Sequence, residues 1–318
     1  TECNRLSAAF KHNCSFDSDL SMYYAVPQDS LAGYTNIRLK VDKEAYAPGE
    51  ATPQIESKTI TKYTENTISS ANYFMFAFNG IAATDMGSKL SATLYADKDG
   101  KTYSTKVDEY SIKEYALDRL EKSTNASFKK MMVDMLNYGA AAQLHFKKNT
   151  ADLVNSCLTP DQLALGTQTL PTLNNNEKTI TISNATAQFG KKNIAFQNKT
   201  ELMLQMKFPE DMNMSKVKLN ISYVTSSGET ITRNIASSKF TKSGDYYIAN
   251  FNTLAIPDVR SVISFKIMNG TKQISDTLQY SVESYVLNRL SNSTSDTYKA
   301  LVTELMKFGI SAETHFSA

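Results

Sequence analysis

The stretch YSIKEYALDRLEKSTNASFKKMMVDMLNYGAAAQLHF, Tyr110 to Phe146, decides how this chain is read, because it occurs again. Tyr280 to Phe316 reads YSVESYVLNRLSNSTSDTYKALVTELMKFGISAETHF and aligns with it without a gap at a constant offset of 170, with 13 of 37 positions identical. Self-similarity of that length marks a duplicated unit. In each copy a short helical pattern is followed by punctuation, Ser123, Thr124 and Asn125 in the first, that offers a cap for a second and longer helix. The longer helix carries Phe128, Met131, Met135, Gly139, Ala142 and Phe146 on one stripe, repeated as Tyr298, Leu301, Leu305, Gly309, Ala312 and Phe316. Glycine inside a helix costs about 1 kcal/mol relative to alanine, so Gly139 and Gly309 are read as points of close approach to a helix or sheet.

The duplication continues upstream through strands. Tyr73 to Leu94 aligns with Tyr246 to Ile267 at an offset of 173, matching YFMFAFNGIAATDMGS to YYIANFNTLAIPDVRS. Further back, Leu20, Met22, Tyr24, Val26 and Pro27 align with Leu202, Leu204, Met206, Phe208 and Pro209, and Ile37, Leu39 and Val41 with Val217, Leu219 and Ile221. Apolar residues alternate with a period of two, as half-buried sheet requires, and ADKDGKT at 96–102 and TSSGET at 225–230 read as hairpin turns. The expected fold is α+β: two tandem copies of an antiparallel β-sandwich, each followed by a packed helix pair. Residues 1–150 form the first lobe, 151–178 a connector and 179–318 the second lobe. The connector region, from Lys147 to Lys178, has two prolines, an Asn run and no strong periodicity.

Composition narrows the function. The 318 residues carry 34 basic and 32 acidic side chains, a net charge of +2, with no run of one sign dense enough for a phosphate backbone or an anionic bilayer. Nucleic acid and membrane are therefore not expected as partners, and no apolar run reaches the eighteen or so residues of a membrane span. Three cysteines, Cys3, Cys14 and Cys157, allow at most one optional disulfide, Cys3 with Cys14. The first residues, TECNRLSAAF, lack the basic and apolar blocks of an export signal, which is expected to have been removed or to lie outside this sequence. The chain has no Trp but 17 Tyr and 15 Phe.

LNYGAAAQLHF, the preceding YSIKEYALDRL and the strand block YFMFAFNGIAATDMG resemble a module of secreted, multidomain surface proteins of gut Firmicutes. The tandem arrangement is most similar to the two-lobed starch-binding domain of the starch adherence system proteins of ruminococcal amylosomes. The resemblance implies a secreted or cell-surface location, membership of a larger multidomain surface assembly, and an α-glucan ligand such as starch. The second copy departs from the pattern at Thr253 for Gly80, Arg260 for Gly87 and FGISAE for YGAAAQ, which points to a lost or changed binding surface there.

No HExxH, GxSxG, Walker or GxGxxG motif is present, so no enzyme, cofactor or metal is expected. His145 and His315 occupy equivalent helix ends, where a histidine satisfies carbonyls and the helix dipole. Asp97, Asp99, Gly100 and Asp108 have part of a calcium-loop spacing, but Lys101 stands where a ligand belongs, which favours a hairpin. A sugar presents apolar C–H faces and hydroxyl edges, so its site needs an aromatic platform beside polar side chains. Tyr73 and Tyr246, Tyr110 and Tyr280, and Tyr115 and Tyr285 recur in both copies and read as packing, although Tyr246 also stands among the candidate contacts. Seven extra residues between Val41 and Tyr73 bring Tyr46 and Tyr63 into a segment, KEAYAPGEATPQIESKTITKYTENTISS, that reads as a loop. Tyr23 alternates with the inward Met22 and Tyr24, and Tyr103 follows a hairpin. Tyr23, Tyr46, Tyr63, Tyr103 and Tyr246 are the candidate carbohydrate contacts. The competing reading is an adhesin or scaffolding module that binds a protein through an exposed apolar or edge-strand surface.

Overall fold

The computed structural model describes residues 4–16 and 19–317. Cys3 lies outside the described residues, while Cys14 is buried beside the Met22 thioether. The fold is α+β. Its N-terminal half holds β1 (Asn4–Arg5), β2 (Lys11–Phe16), β3 (Leu20–Pro27), β4 (Thr35–Ala45), β5 (Gln54–Ile60), β6 (Thr64–Ile68), β7 (Ala71–Ile81), β8 (Leu90–Lys98), β9 (Lys101–Ser104) and β10 (Asp108–Tyr110). One sheet has the order β2-β3-β7-β6 and the other β1-β9-β8-β4-β5, with β10 on β8, and every pair is antiparallel except β1 with β9. The β8–β9 hairpin turns through Asp99 and Gly100 at φ 52 and 71, the positive pair that matches strand twist in a two-residue turn. Much of the segment expected as a loop is strand: β5 and β6 occupy it, and Tyr46 and Tyr63 lie in the loops left at 46–53 and 61–63. Alternation there is masked because β5 is exposed along all but its last residue.

The helices follow as α1 (Ile112–Lys122) and α2 (Ala126–Phe146). Ser111 caps α1 by accepting from the Glu114 amide at 3.1 Å, and Asn125 caps α2 by accepting from that of Phe128 at 2.9 Å. The next segment contains α3 (Pro160–Leu165), opened by a reciprocal Thr159–Gln162 capping box. In the C-terminal half come β11 (Lys178–Ile180), β12 (Gln188–Ala195), β13 (Glu201–Lys207), β14 (Val217–Val224), β15 (Thr230–Ala236), β16 (Thr241–Ser243), β17 (Tyr246–Phe251), β18 (Ile263–Asn269), β19 (Lys272–Gln273) and β20 (Thr277–Tyr280), then α4 (Val282–Asn292) and α5 (Asp296–Phe316). Its sheets run β12-β13-β17-β16 and β11-β20-β18-β14-β15, with β19 on β18.

Strand register corrects one alignment. Asn13 lies opposite Tyr23, and Met22 opposite Phe78; Asn193 lies opposite Met203, and Leu202 opposite Phe251. Met22, Tyr24 and Val26 therefore correspond to Leu202, Leu204 and Met206, two residues away from the sequence match. A slip of two leaves every side chain on the same face, so apolar parity alone does not distinguish the two alignments.

The long helices are buried on more than one stripe: α2 hides every residue from Met131 to Leu136 and from Tyr138 to Gln143. The reason is α5, which packs antiparallel along it with reciprocal contacts. His145 Nδ1 lies 3.1 Å from Thr297 Oγ1, and His315 Nδ1 lies 3.0 Å from Ser127 Oγ. His145 faces the Tyr298 ring at 5.2 Å, and His315 the Phe128 ring at 4.9 Å. Tyr138 meets Phe308, its partner at the offset of 170, at 6.1 Å. Such exchange is the signature of a local two-fold axis. The two histidines thus reach hydroxyls on the opposite helix rather than their own helix-end carbonyls, and burial lowers the pKa of both.

Both helical glycines are close approaches. A Cβ on Gly139 would lie 2.7 Å from Met86 Sδ and 3.2 Å from the Ala83 carbonyl, and one on Gly309 would overlap a Val259 methyl with the Ile256 carbonyl 3.2 Å away. The neighbours are one-turn helices, Ala83–Asp85 and Ile256–Asp258, not a sheet or a long helix. Gly309→Ala gains about 1 kcal/mol of helix propensity but incurs overpacking worth about 1–3 kcal/mol. A lower urea midpoint is the expected result; a higher one would show that Val259 moves aside freely.

The connector docks onto both halves. Gln143 donates to the carbonyls of Asn149 and Asp152 and accepts from the Val154 amide at 2.8 Å. Asp134 accepts from the Thr167 amide and hydroxyl, and Glu283 accepts from the Asn174 amide and the Asn176 side chain. Val154 packs over Gly87 and Gly139. In the C-terminal half, Arg260 at the Gly87 position and Glu313 at the Gln143 position form an ion pair at 2.7 Å. Arg260 and Glu313 thus hold each other where, in the N-terminal half, Gly87 lies against Val154 and Gln143 binds the connector.

Candidate functional site

The five tyrosines expected to meet a sugar end in different places. Tyr63 is 37% exposed, yet its ring lies 4.7 Å from Phe74 and 5.2 Å from Phe76 at the edge of the core. Tyr103 is half-buried on β9, edge-on to Tyr34 at 5.3 Å. Tyr246 is 37% exposed, whereas its partner in the alignment, Tyr73, is 6% exposed, so the packing role expected for both holds for Tyr73 alone. The cause is local. Lys11 covers the Tyr73 ring at 4.8 Å, while Tyr246 has Gly190 beside it, at a bulge in β12, with no side chain to lay across the ring. Tyr115 and Tyr285 are buried and donate to Asn13 and Asn193 at 3.1 and 2.9 Å. Tyr110 stacks on His12 at 4.0 Å, and Tyr280 lies under Lys192 at 5.5 Å.

Two tyrosines line grooves. Tyr23 lies on the outer face of the β2-β3-β7-β6 sheet, in a groove of about 730 Å³ with Lys11, Asn13, Met75, Asn66, Glu65 and Arg119. Tyr46, the first residue after β4, lies in a second groove of about 330 Å³ with Lys43, Gln54, Glu56 and Asp85. Lys148, just past α2, and Asn198, from the C-terminal half, close that groove. Tyr63, Tyr103 and Tyr246 line neither. The Tyr46 loop is pinned where the Gly49 amide donates to the Lys147 carbonyl at 2.7 Å. Lys147 ends α2 in a left-handed turn at φ 55. Burial, reinforced by the charges of Glu44 and Asp152, raises the Tyr46 phenol pKa and keeps it neutral.

The groove that Tyr46 lines also holds a charge network. Lys43 is 8% exposed and Asp85 6% exposed, and the Lys43 ammonium donates to Asp85 Oδ2 at 2.6 Å and meets Glu56 Oε2 at 3.2 Å. Burial opposes the ammonium, but the hydrogen bond and charge of Asp85, with Glu56 behind it, outweigh it and raise the Lys43 pKa above the ordinary lysine value. Thr84 Oγ1 donates to the other Asp85 oxygen at 3.1 Å. Lys43 pairs with Glu56 across β4–β5; in the corresponding pair of the C-terminal half, Tyr223 faces Ile231 across β14–β15. There Asp258 accepts from the Ser226 amide at 2.7 Å, and no lysine is needed to hold it.

Sequence reading passed over Lys43, Glu56 and Asp85. A signal was present: Lys43 continues the inward parity of Leu39 and Val41, and a lysine on a core face needs a buried acid. Asp85 stands in the block repeated as Asp258. Among the described residues no group of three or more His, Cys, Asp or Glu side chains could hold a metal ion, and no helix is long and apolar enough to cross a membrane. Asp97 is taken up by Asn36, Arg38 and Thr102, and Asp108 by His12. No protein-family model matches the chain, and no curated protein matches it in sequence.

Proposed function

We propose that this chain is a non-catalytic carbohydrate-binding unit for α-glucan, built from two tandem copies of one β-sandwich and helix-pair module, and that the Tyr46 groove is its principal site. The observation that carries the reading is the buried Lys43–Asp85 pair, with the exposed Glu56 carboxylate beside it, in the groove that Tyr46 lines, at a register where the other half has Tyr223 and Ile231. Burying ions costs several kcal/mol of solvation each. The other half keeps a buried carboxylate, Asp258, but holds it with the Ser226 amide; it requires neither the lysine nor the glutamate, so Lys43 and Glu56 are kept for what they can bind. Tyr46 supplies a face for a pyranose ring, and Gln54, Glu56, Lys148 and Asn198 supply donors and acceptors for hydroxyls.

The resemblance of LNYGAAAQLHF and YFMFAFNGIAATDMG favours α-glucan among hydroxylated polymers and supports a secreted or cell-surface assembly as the setting. Hydrolysis fits the groove poorly. A glycosidase leaves the space between its two carboxylates open for the scissile oxygen, whereas the Lys43 ammonium fills the space between Asp85 and Glu56. The test is retention on insoluble starch against cellulose and mucin. Retention on starch, reversed by soluble maltooligosaccharide and without release of reducing ends, is the expected result. Retention on none of the three removes the proposal; retention that maltooligosaccharide leaves untouched points to a protein-binding adhesin.

A further inference from the structure

We propose that the outer face of the β2-β3-β7-β6 sheet is a second saccharide site, centred on Tyr23, that takes an uncharged, hydroxyl-rich chain. The inference rests on the carbohydrate reading above and adds a site to it. The C-terminal half acts as an internal control for what the scaffold needs. Asn13 and Asn193 occupy matching strand positions, and each is held by the buried tyrosine of its own half, Tyr115 or Tyr285. Directly opposite them stand Tyr23 in one half and Met203 in the other. The sheet therefore accepts an unbranched aliphatic side chain at this register, and the ring of Tyr23 serves something other than the fold.

The surroundings suit a neutral ligand. Tyr23 and Met75 form an apolar floor, while Asn13 and Asn66 bring amides and Lys11 and Glu65 charges of opposite sign. At the rim, His12 Nε2 lies 2.7 Å from an Asp108 carboxylate oxygen, and Arg119 meets Asp118 at 3.0 Å. An acidic ligand would find no net positive field, whereas a sugar offers C–H faces to the floor and hydroxyls to both kinds of rim group. In the other half the positions of Glu65 and Asn66 are taken by Lys242 and Ser243, which pair with Tyr247 and Tyr246. Two sites on one chain strengthen attachment to a polymer through effective concentration, with no new contact.

Isothermal titration with maltoheptaose tests this on the full chain, using Tyr23→Met because the matching position already holds methionine. Circular dichroism and the urea midpoint check the fold of each variant. The wild type is expected to bind two ligands, Tyr23→Met one, Tyr46→Ala one, and the double variant none. A wild type that binds one ligand, lost in Tyr46→Ala and unchanged in Tyr23→Met, overturns the second site and leaves the carbohydrate reading standing. Absence of binding by the wild type overturns both.

Discussion

Lys43→Met is expected to lower stability at pH 7 by about 3–4 kcal/mol. The substitution leaves Asp85 in a site where it is 6% exposed, with Thr84 Oγ1 as its only other side-chain donor among the described residues. Removing one member of a buried ion pair typically costs about 3–5 kcal/mol, because the remaining charge has lost both water and partner. The loss has a ceiling. Protonating an ordinary aspartate at pH 7 costs about 4 kcal/mol, and a stranded carboxylate takes a proton rather than exceed it. The sign with pH follows. In the variant the folded state binds that proton more tightly than the unfolded state, so the deficit is full at neutral pH and shrinks as pH falls towards 4. Urea unfolding at pH 7 and pH 4.5 checks both parts. The double variant Lys43→Met/Asp85→Asn, which strands no charge, is expected to recover most of the loss. A deficit below about 1 kcal/mol at pH 7 would mean that water reaches Asp85 and that the network is a surface feature.

Tyr46→Ala is expected to weaken binding of maltooligosaccharide at the junction groove about 30-fold or more, while Tyr46→Phe stays within a few-fold of the wild type. Aromatic side chains at the centre of an interface commonly contribute about 2 kcal/mol or more. The ring face rather than the hydroxyl does the stacking, which is why phenylalanine suffices. The loop is held by the Gly49–Lys147 backbone bond, not by Tyr46, so the alanine variant keeps the geometry of the groove. Titration at this site with both variants measures the effect. Unchanged affinity in Tyr46→Ala would move the site elsewhere.

Much of the scaffold was legible because it is written in local periods. Leu39 and Val41 alternate, the stripe from Phe128 to Phe146 recurs every three or four residues, and Asn125 stands where a helix cap belongs. The hairpin at Asp99 and Gly100 follows from backbone preference alone. Three features escaped this reading. β5 is too exposed to alternate, so it passed for a loop. The β3 alignment was drawn two residues off because parity tolerates that slip. Burial of α2 beyond one stripe comes from α5, a partner whose first residue lies 150 positions after its last.

Of the five candidate tyrosines, Tyr23 and Tyr46 line grooves, and nothing in their immediate neighbours distinguishes them from Tyr63 or Tyr103. Strand and helix faces, caps and turns were determined by the chain itself, since each depends on residues within a few positions of one another. The pairing of α2 with α5 and the meeting of Lys43, Glu56 and Asp85 were decided only in three dimensions. So was the closure of the Tyr46 groove by Lys148 and Asn198. These contacts join segments 13 to well over 100 residues apart. They depend on burial and charge compensation, which have no period along a sequence.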